Sequence, residues 1–329
     1  MSALLAIVIA DDLTGSLDSI SPFAARGLTC IVALSAAGIQ PALAHAPQVL
    51  AVNLGTREVP AAEAARRAGA AVGTLMPAAG PGTVWIKKID SRLKGPIAAE
   101  IAAMSEVLRP ERVLLCPAIP DLGRIVQDGR LGVDGNLAPQ RIADMVALAL
   151  PCDIPDATLD SDLDRIVQTV RPGTLVGSAR GLAAALARKL APGGPVGAVI
   201  RPGPIGFAIG SRDPVTLAQV AALQADGRLP TIAAPDGVVP ATAWPSSFLL
   251  QATEGPGAAG PVVAARLAEG LTPHIAGLTT LVLSGGETAL AVLNAAGVRL
   301  LRVQGDVLPG VVLGRALDLP GLPYLVTKS

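Results

Sequence analysis

The chain repeatedly runs from a short apolar stretch into a polar turn and then into an Ala-rich helical stretch. That repeat constrains the fold more than any other feature. Leu4–Ala10 is apolar throughout, ends on Asp11-Asp12-Leu13-Thr14-Gly15 and leads into a helix reaching about Arg26. Thr29–Leu34, Gln48–Leu54, Val84–Ile89 and Arg112–Cys116 read as further strands, with helices at Pro60–Ala71 and Ile97–Leu108. Strand, turn and helix in regular alternation give a mainly parallel sheet covered on both faces.

The pattern restarts after Pro192-Gly193-Gly194-Pro195 and Arg201-Pro202-Gly203-Pro204, which punctuate the chain. Ile205–Ile209 reads as a strand, followed by Gly210-Ser211 and a helix near Pro214–Leu223. Thr280 opens another strand, which turns through Ser284-Gly285-Gly286-Glu287-Thr288 into a helix at Ala289–Ala295. The expected architecture is α/β with two domains, residues 1–195 and 196–329. Each should be a largely parallel sheet flanked by helices, with the active site in the cleft between the domains. A length of 329 residues suits two such cores.

Composition narrows the partners. Lys+Arg and Asp+Glu number 26 each, so no broad field attracts nucleic acid or an anionic membrane. No stretch reaches the roughly 18 uncharged apolar residues of a membrane span. The opening MSALLAIVIADD lacks a basic segment and ends in two aspartates, which fits a buried strand better than a signal peptide. Cys30, Cys116 and Cys152 are scattered and odd in number, so they read as buried free thiols of a cytoplasmic protein. A small molecule is the expected partner, and a homodimer the default assembly. Aromatics make up only 2% of the chain, leaving few rings on which a base or sugar could stack.

Three polar clusters follow predicted strands, where ligands of open α/β sheets bind. Asp11 and Asp12 could bind sugar hydroxyls or hold a catalytic base; capping the next helix is the competing role. Lys87-Lys88-Ile89-Asp90-Ser91-Arg92-Leu93-Lys94-Gly95 concentrates cations around one carboxylate, in a chain only 16% charged. A carboxylate substrate or a transferring phosphoryl group needs such density, and Asp90 could act as general base. A solvated charged loop is the alternative. Arg57 adds a cation after the Gln48–Leu54 strand. Ser284-Gly285-Gly286-Glu287-Thr288 could bring backbone N–H groups and a helix N-terminus to an anion. Gly210-Ser211 could do the same, although glycines also serve ordinary tight connections.

The sequence contains no GxxxxGK[ST], no GxGxxG and no HExxH, and only His45 and His274 as histidines. P-loop, dinucleotide and zinc-hydrolase readings therefore lack support, and no protein metal site is expected.

In order along most of the chain, these clusters resemble the four-carbon acid sugar kinase family. Ala10-Asp11-Asp12-Leu13-Thr14-Gly15 is similar to the family's ADDLTG. Lys88-Ile89-Asp90-Ser91 through Gly95, with Glu100 beyond, is similar to KxDSTLRGNxxxE. Pro117-Ala118, Gly123-Arg124 and Asp128-Gly129 resemble PAxPxxGRxxxxG. Asp156-Ala157 and Gly177–Ala183 resemble the end of the first domain. Gly210-Ser211 with Pro214-Val215-Thr216, then Gly285-Gly286-Glu287-Thr288-Ala289 and Pro309-Gly310, resemble the nucleotide domain.

The resemblance implies an N-terminal acid-binding domain, a C-terminal nucleotide domain and transfer of the ATP γ-phosphate, with Mg²⁺, to a four-carbon sugar acid. It places Asp90 and Asp12 as catalytic carboxylates and Asp11, Arg57, Lys88, Ser91 and Lys94 around the acid. Ser211, Gly285, Gly286, Glu287 and Thr288 would surround ATP. Arg92, Lys94 and Pro96 stand where the family has Thr, Arg and Asn. The interval from Gln219 to Ser284 is short, and the sequence ends at Ser329 before the family's Gly-Gly-Phe-Gly-like turn. A nucleotide- or acid-binding homologue without catalysis is the alternative function. A dehydrogenase is a second, against which the missing GxGxxG counts.

Overall fold

The opening apolar run forms β1 (Ala6–Ala10), buried along its whole length, in a computed structural model that describes residues 4–328. The chain continues through α1 (Leu13–Ala24), β2 (Cys30–Ala33), α2 (Ile39–Ala44), β3 (Val49–Asn53) and α3 (Ala61–Leu75). Next come β4 (Val84–Lys88), α4 (Ile97–Leu108) and β5 (Arg112–Cys116). An excursion contains β6 (Arg124–Gln127), β7 (Arg130–Val133), β8 (Asn136–Arg141) and α5 (Ile142–Val146). The first unit ends with β9 (Cys152–Asp153), α6 (Asp160–Gln168), β10 (Thr174–Ser178) and α7 (Arg180–Leu190). Val196 is its last residue, and the second unit begins at Gly197.

In the first unit the strand order is β2-β3-β1-β4-β10-β5-β9, parallel throughout. Helices α3 and α4 pack together, while α7 packs against α1 and α6. Small residues suit this packing, since α3 buries Ala64, Ala68 and Ala71. Neighbours β1 and β4 send their chains to opposite sides of the sheet, β1 toward β2 and β4 toward β5. The crevice at their carboxyl ends is thus a topological switch point, where open α/β sheets bind ligands. Strands β6, β7 and β8 form a separate antiparallel sheet. Its two turns are Asp128-Gly129 and Asp134-Gly135, with φ between 50° and 83° at all four residues. Such left-handed pairs make the two-residue turn whose twist matches a hairpin.

The second unit contains β11 (Ile205–Ile209), α8 (Pro214–Ala225), β12 (Thr231–Pro235), β13 (Phe248–Thr253) and α9 (Gly260–Leu271). It continues with β14 (Thr280–Ser284), α10 (Gly286–Ala295), β15 (Leu300–Leu308), β16 (Val311–Ala316) and β17 (Tyr324–Lys328). Five strands run parallel in the order β12-β13-β11-β14-β17, and β16 and β15 extend them antiparallel. The chain leaves β11 toward β12 and leaves β14 in the other direction, so this sheet also has a switch point. His274 stacks on Trp244 with ring centroids 3.9 Å apart. Among the described residues no helix is long and apolar enough to cross a membrane.

Candidate active site

Carboxylates gather at the β1/β4 switch point. Asp12 follows β1 by two residues and caps α1, its Oδ1 accepting from Gly15 N–H at 2.6 Å. The capping role foreseen from sequence thus belongs to Asp12, but its other oxygen, Oδ2, lies 3.1 Å from Arg57 Nη1. Arg57 also donates from Nε to Asp11 Oδ2 at 2.8 Å, and its Nη1 is 3.6 Å from Asp90 Oδ1. One guanidinium from the loop after β3 therefore binds three carboxylates contributed by β1 and β4. Arg57, a residue the family resemblance places around the acid, is the hub that fixes the protein's own carboxylates. Asp11 Oδ1 and Arg57 Nη2 are buried and have no hydrogen-bond partner among the described residues.

Burial works to raise the pKa of Asp11, but the charges of Lys87, Arg57 and Lys88 outweigh it and hold the carboxyl below the usual range. Burial likewise opposes protonation of Arg57, and Asp11, Asp12 and Asp90 reverse the effect, so it stays charged.

Asp90 shapes its own turn. Its Oδ2 accepts from Arg92 N–H at 2.8 Å and from Lys94 N–H at 3.4 Å. Ser91 is buried, and its Oγ accepts from Arg124 Nη1 at 2.7 Å. This brings a cation at the start of β6 to the Asp90 turn. Lys94 and Arg92 are exposed.

Adjacent lysines diverge because successive side chains on a strand point to opposite faces. Lys88 crosses beside Gly15, where an added Cβ would sit 2.7 Å from both Lys88 Cε and Asp12 Oδ1. Only glycine lets the lysine and the cap share that space. Lys87 turns the other way and is fully enclosed, with Nζ 2.8 Å from Glu100 Oε2. Of the four cations read from this turn, Lys87 thus faces away from the carboxylate cluster.

At the β11/β14 switch point lies a pocket of about 340 Å³, lined by Ser211, Asp236, Gly285, Gly286, Glu287 and Thr288 among others. All five residues expected around the nucleotide meet there. Gly285 precedes α10 with φ 99°, and among the described residues no side chain caps the helix. The first intrahelical bond runs from Ala289 N–H to Gly285 O, so the N–H groups of Gly286, Glu287 and Thr288 lie in an uncapped first turn. Such a terminus attracts anions. Gly210 is as constrained as Gly15, because a Cβ there would fall 1.8 Å from Thr288 Oγ1.

The sequence reading missed Asp236. It follows β12, has φ 47°, and accepts through Oδ2 from Gly257 and Ala258 N–H groups at 2.8 and 3.0 Å. The signal was the Asp236-Gly237 pair, facing Gly255-Pro256-Gly257 across the fold. Among the described residues no group of three or more His, Cys, Asp or Glu could hold a metal ion.

Comparison with known proteins gives these two places a context. Residues 6–149 match a family described as a sugar-binding N-terminal domain, and residues 235–329 one described as a nucleotide-binding C-terminal domain. The chain is 30% identical to the D-threonate kinase of Bordetella bronchiseptica over 388 aligned positions, 98% of this chain and 93% of that one. It is 29% identical to the 3-oxo-tetronate kinase of Methylobacterium radiotolerans, covering 98% of this chain and 94% of the relative. A solved structure from Salmonella typhimurium LT2 shares the fold at TM-score 0.77 and 22% identity, over 99% of this chain and 96% of that one. With similarity across almost the whole of both chains and both domain families in the expected order, this chain belongs to the four-carbon acid sugar kinase family.

Proposed function

We propose that the protein transfers the γ-phosphate of ATP to the terminal hydroxyl of a four-carbon sugar acid of the threonate, erythronate or 3-oxo-tetronate type. The observation that carries this reading is the pairing of two unlike switch points, one built of carboxylates and cations and one of uncapped helix N–H groups. The relatives' names, D-threonate kinase and 3-oxo-tetronate kinase, support it.

On this reading Asp11, Asp12 and Asp90, fixed by Arg57, face the hydroxyls of the acid. The acid's carboxylate falls to the cations that Arg57 leaves over: Lys88, Lys94 and Arg124. Both oxygens of Asp12 are occupied by the helix cap and Arg57, and both N–H bonds to Asp90 use Oδ2. Asp90 Oδ1, loosely held at 3.6 Å from Arg57, is the oxygen best placed to take the hydroxyl proton. The nucleotide's phosphates dock on the N–H groups of Gly286, Glu287 and Thr288, with Ser211 alongside. Glu287 is the carboxylate there able to hold Mg²⁺ arriving with the phosphates, which supplies charge neutralisation for the transfer.

The test is ADP release from ATP and Mg²⁺ across D- and L-threonate, D- and L-erythronate and their 3-oxo relatives. Acid-dependent release with one favoured acid is expected. Binding of ATP and of an acid with no release would establish the non-catalytic alternative.

A further inference from the structure

One charged group points away from the carboxylate cluster, reaches it directly only through the charge it exerts on Asp11, and is wholly enclosed. Lys87 is 0% exposed, and its ammonium lies 2.8 Å from Glu100 Oε2 on α4, equally shut off from water, in an ion-pair contact without hydrogen-bond geometry. Two charges taken out of water are a poor device for stability, because a well-packed apolar pair often serves as well or better. The value of the pair must therefore be sought in what it holds. The second oxygen of Glu100, Oε1, accepts from the Thr56 hydroxyl at 2.6 Å. Thr56 is also 0% exposed, and its N–H donates to the Asp11 carbonyl at 2.8 Å.

Thr56 is thus fixed through both backbone and side chain, and the next residue is Arg57. The fork of Arg57 reaches Asp11, Asp12 and Asp90 at 2.8, 3.1 and 3.6 Å. A planar guanidinium serving three carboxylates tolerates little displacement, since its donors are fixed in direction. The loop that carries it is short and turns sharply, with Gly55 at φ 58°. The chain of contacts runs from the Lys87 ammonium to Glu100, to Thr56 and so to Arg57. It crosses β4, α4 and the β3–α3 loop, and so locks three elements to one another behind the carboxylates.

We propose that Thr56, held by the buried Lys87–Glu100 pair, is the positioning residue that sets Arg57 among the three carboxylates of the acid site. The inference rests on the reading of that cluster as the acid-binding end. It predicts a role in acid affinity that is separable from folding and from nucleotide binding.

The first test is Thr56→Val, which keeps the shape and removes the hydroxyl, with Thr56→Ser as the conservative rescue. In steady-state ADP release with D-threonate, or the acid favoured in the panel above, the KM for the acid should rise about tenfold in Thr56→Val. That is the order expected of a small misplacement in a preorganised site. The KM for ATP should stay put, and Thr56→Ser should restore acid KM. The second test is Lys87→Met combined with Glu100→Met, which removes both charges of the pair together while Asp11 keeps Arg57 and Lys88. Its Tm should remain near wild type while its acid KM rises as in Thr56→Val. Adding Thr56→Val to that pair should raise acid KM no further, as residues of one chain of contacts are not additive.

Unchanged acid KM in Thr56→Val, or in a stably folded Lys87→Met/Glu100→Met protein, would overturn the proposal. So would equal rises in the KM values for acid and ATP, which mark general loosening. Calorimetric binding of the acid to the same variants separates this from the kinase reading. If wild type binds acid without releasing ADP, the kinase reading fails, and a tenfold weaker Kd in Thr56→Val still supports the positioning role. If wild type binds none of the acids, both fail.

Discussion

At the β1/β4 switch point of the first unit, side chains supply the chemistry: Asp11, Asp12 and Asp90 around Arg57, with Lys88 beside Gly15. At the β11/β14 switch point of the second, backbone supplies it: Gly285 before an uncapped α10, and Gly210 pressed against Thr288. The same sheet geometry thus presents two different surfaces. A ligand with several hydroxyls and a carboxylate needs donors and acceptors placed individually, which only side chains provide. A polyphosphate needs many N–H groups and close approach, which glycine and a helix terminus provide. The first site should therefore fail by loss of a functional group, and the second by addition of a single methyl.

The largest effect should come from Asp90→Asn. Removal of a general base costs typically 10²- to 10⁴-fold, so kcat should fall by about that range with Tm little changed; near-normal turnover would remove Asp90 from the role. Next is Gly210→Ala, whose Cβ would meet Thr288 Oγ1 at 1.8 Å. Overpacking of this kind costs about 1–3 kcal/mol. ATP binding measured by calorimetry should weaken, while acid binding holds; equal loss of both would break the division between the two sites.

Arg124→Gln should be milder. Hydrogen bonds to charged groups are worth about 1.5–3 kcal/mol, so acid KM should rise by about tenfold or more. The neutral polyol threitol should not feel the change. If threitol and threonate respond alike, Arg124 is only a support for Ser91.

Smaller still is a pH effect. The carboxyl of Asp11 titrates below its reference value of 3.8, because Lys87, Arg57 and Lys88 overcome its burial. A folded pKa below the unfolded one gives stability that is fully present above the unfolded value and is lost as pH falls through the folded one. Asp11→Asn should therefore flatten the acid limb of the Tm–pH curve below about pH 4, in the range of the unfolded carboxyl. An unaltered limb would show that other groups govern it. The smallest response belongs to Arg66→Ala, which breaks an exposed ion pair with Glu63 on α3 and leaves Glu63 its bond from Arg67. Exposed pairs of this type contribute little, and no measurable change in Tm or KM is expected.

Much of the fold was legible because burial writes itself into sequence. Runs such as Ala6–Ala10 and Val113–Cys116 are apolar since helices cover both faces of the sheet. The helix expected over Pro60–Ala71 in fact runs Ala61–Leu75, as nothing in Val72-Gly73-Thr74-Leu75 stops it before the proline at 77. The β6–β8 sheet escaped notice although Asp128-Gly129 and Asp134-Gly135 are strong hairpin signals. Its strands are short and, in β8, exposed, so the apolar pattern that revealed the others is absent. Strands β15 and β16 carry a mixed burial pattern for a related reason, lying beyond the parallel run of their sheet.

The candidate site divides in the same way. The sequence by itself determined which chemical groups follow which strands, and a strand's period of two already put Lys87 and Lys88 on opposite faces. Which face meets the carboxylates depends on strand order, and that order is set by crossover connections with no local trace. Only the tertiary structure decided that Arg57 would spend its donors on Asp11, Asp12 and Asp90, and that Asp12 would be a cap. It alone brought Thr56, Glu100 and Lys87 together across 44 positions of chain. Each of these assignments is a distance between segments far apart in sequence, fixed by the packing of whole elements against one another.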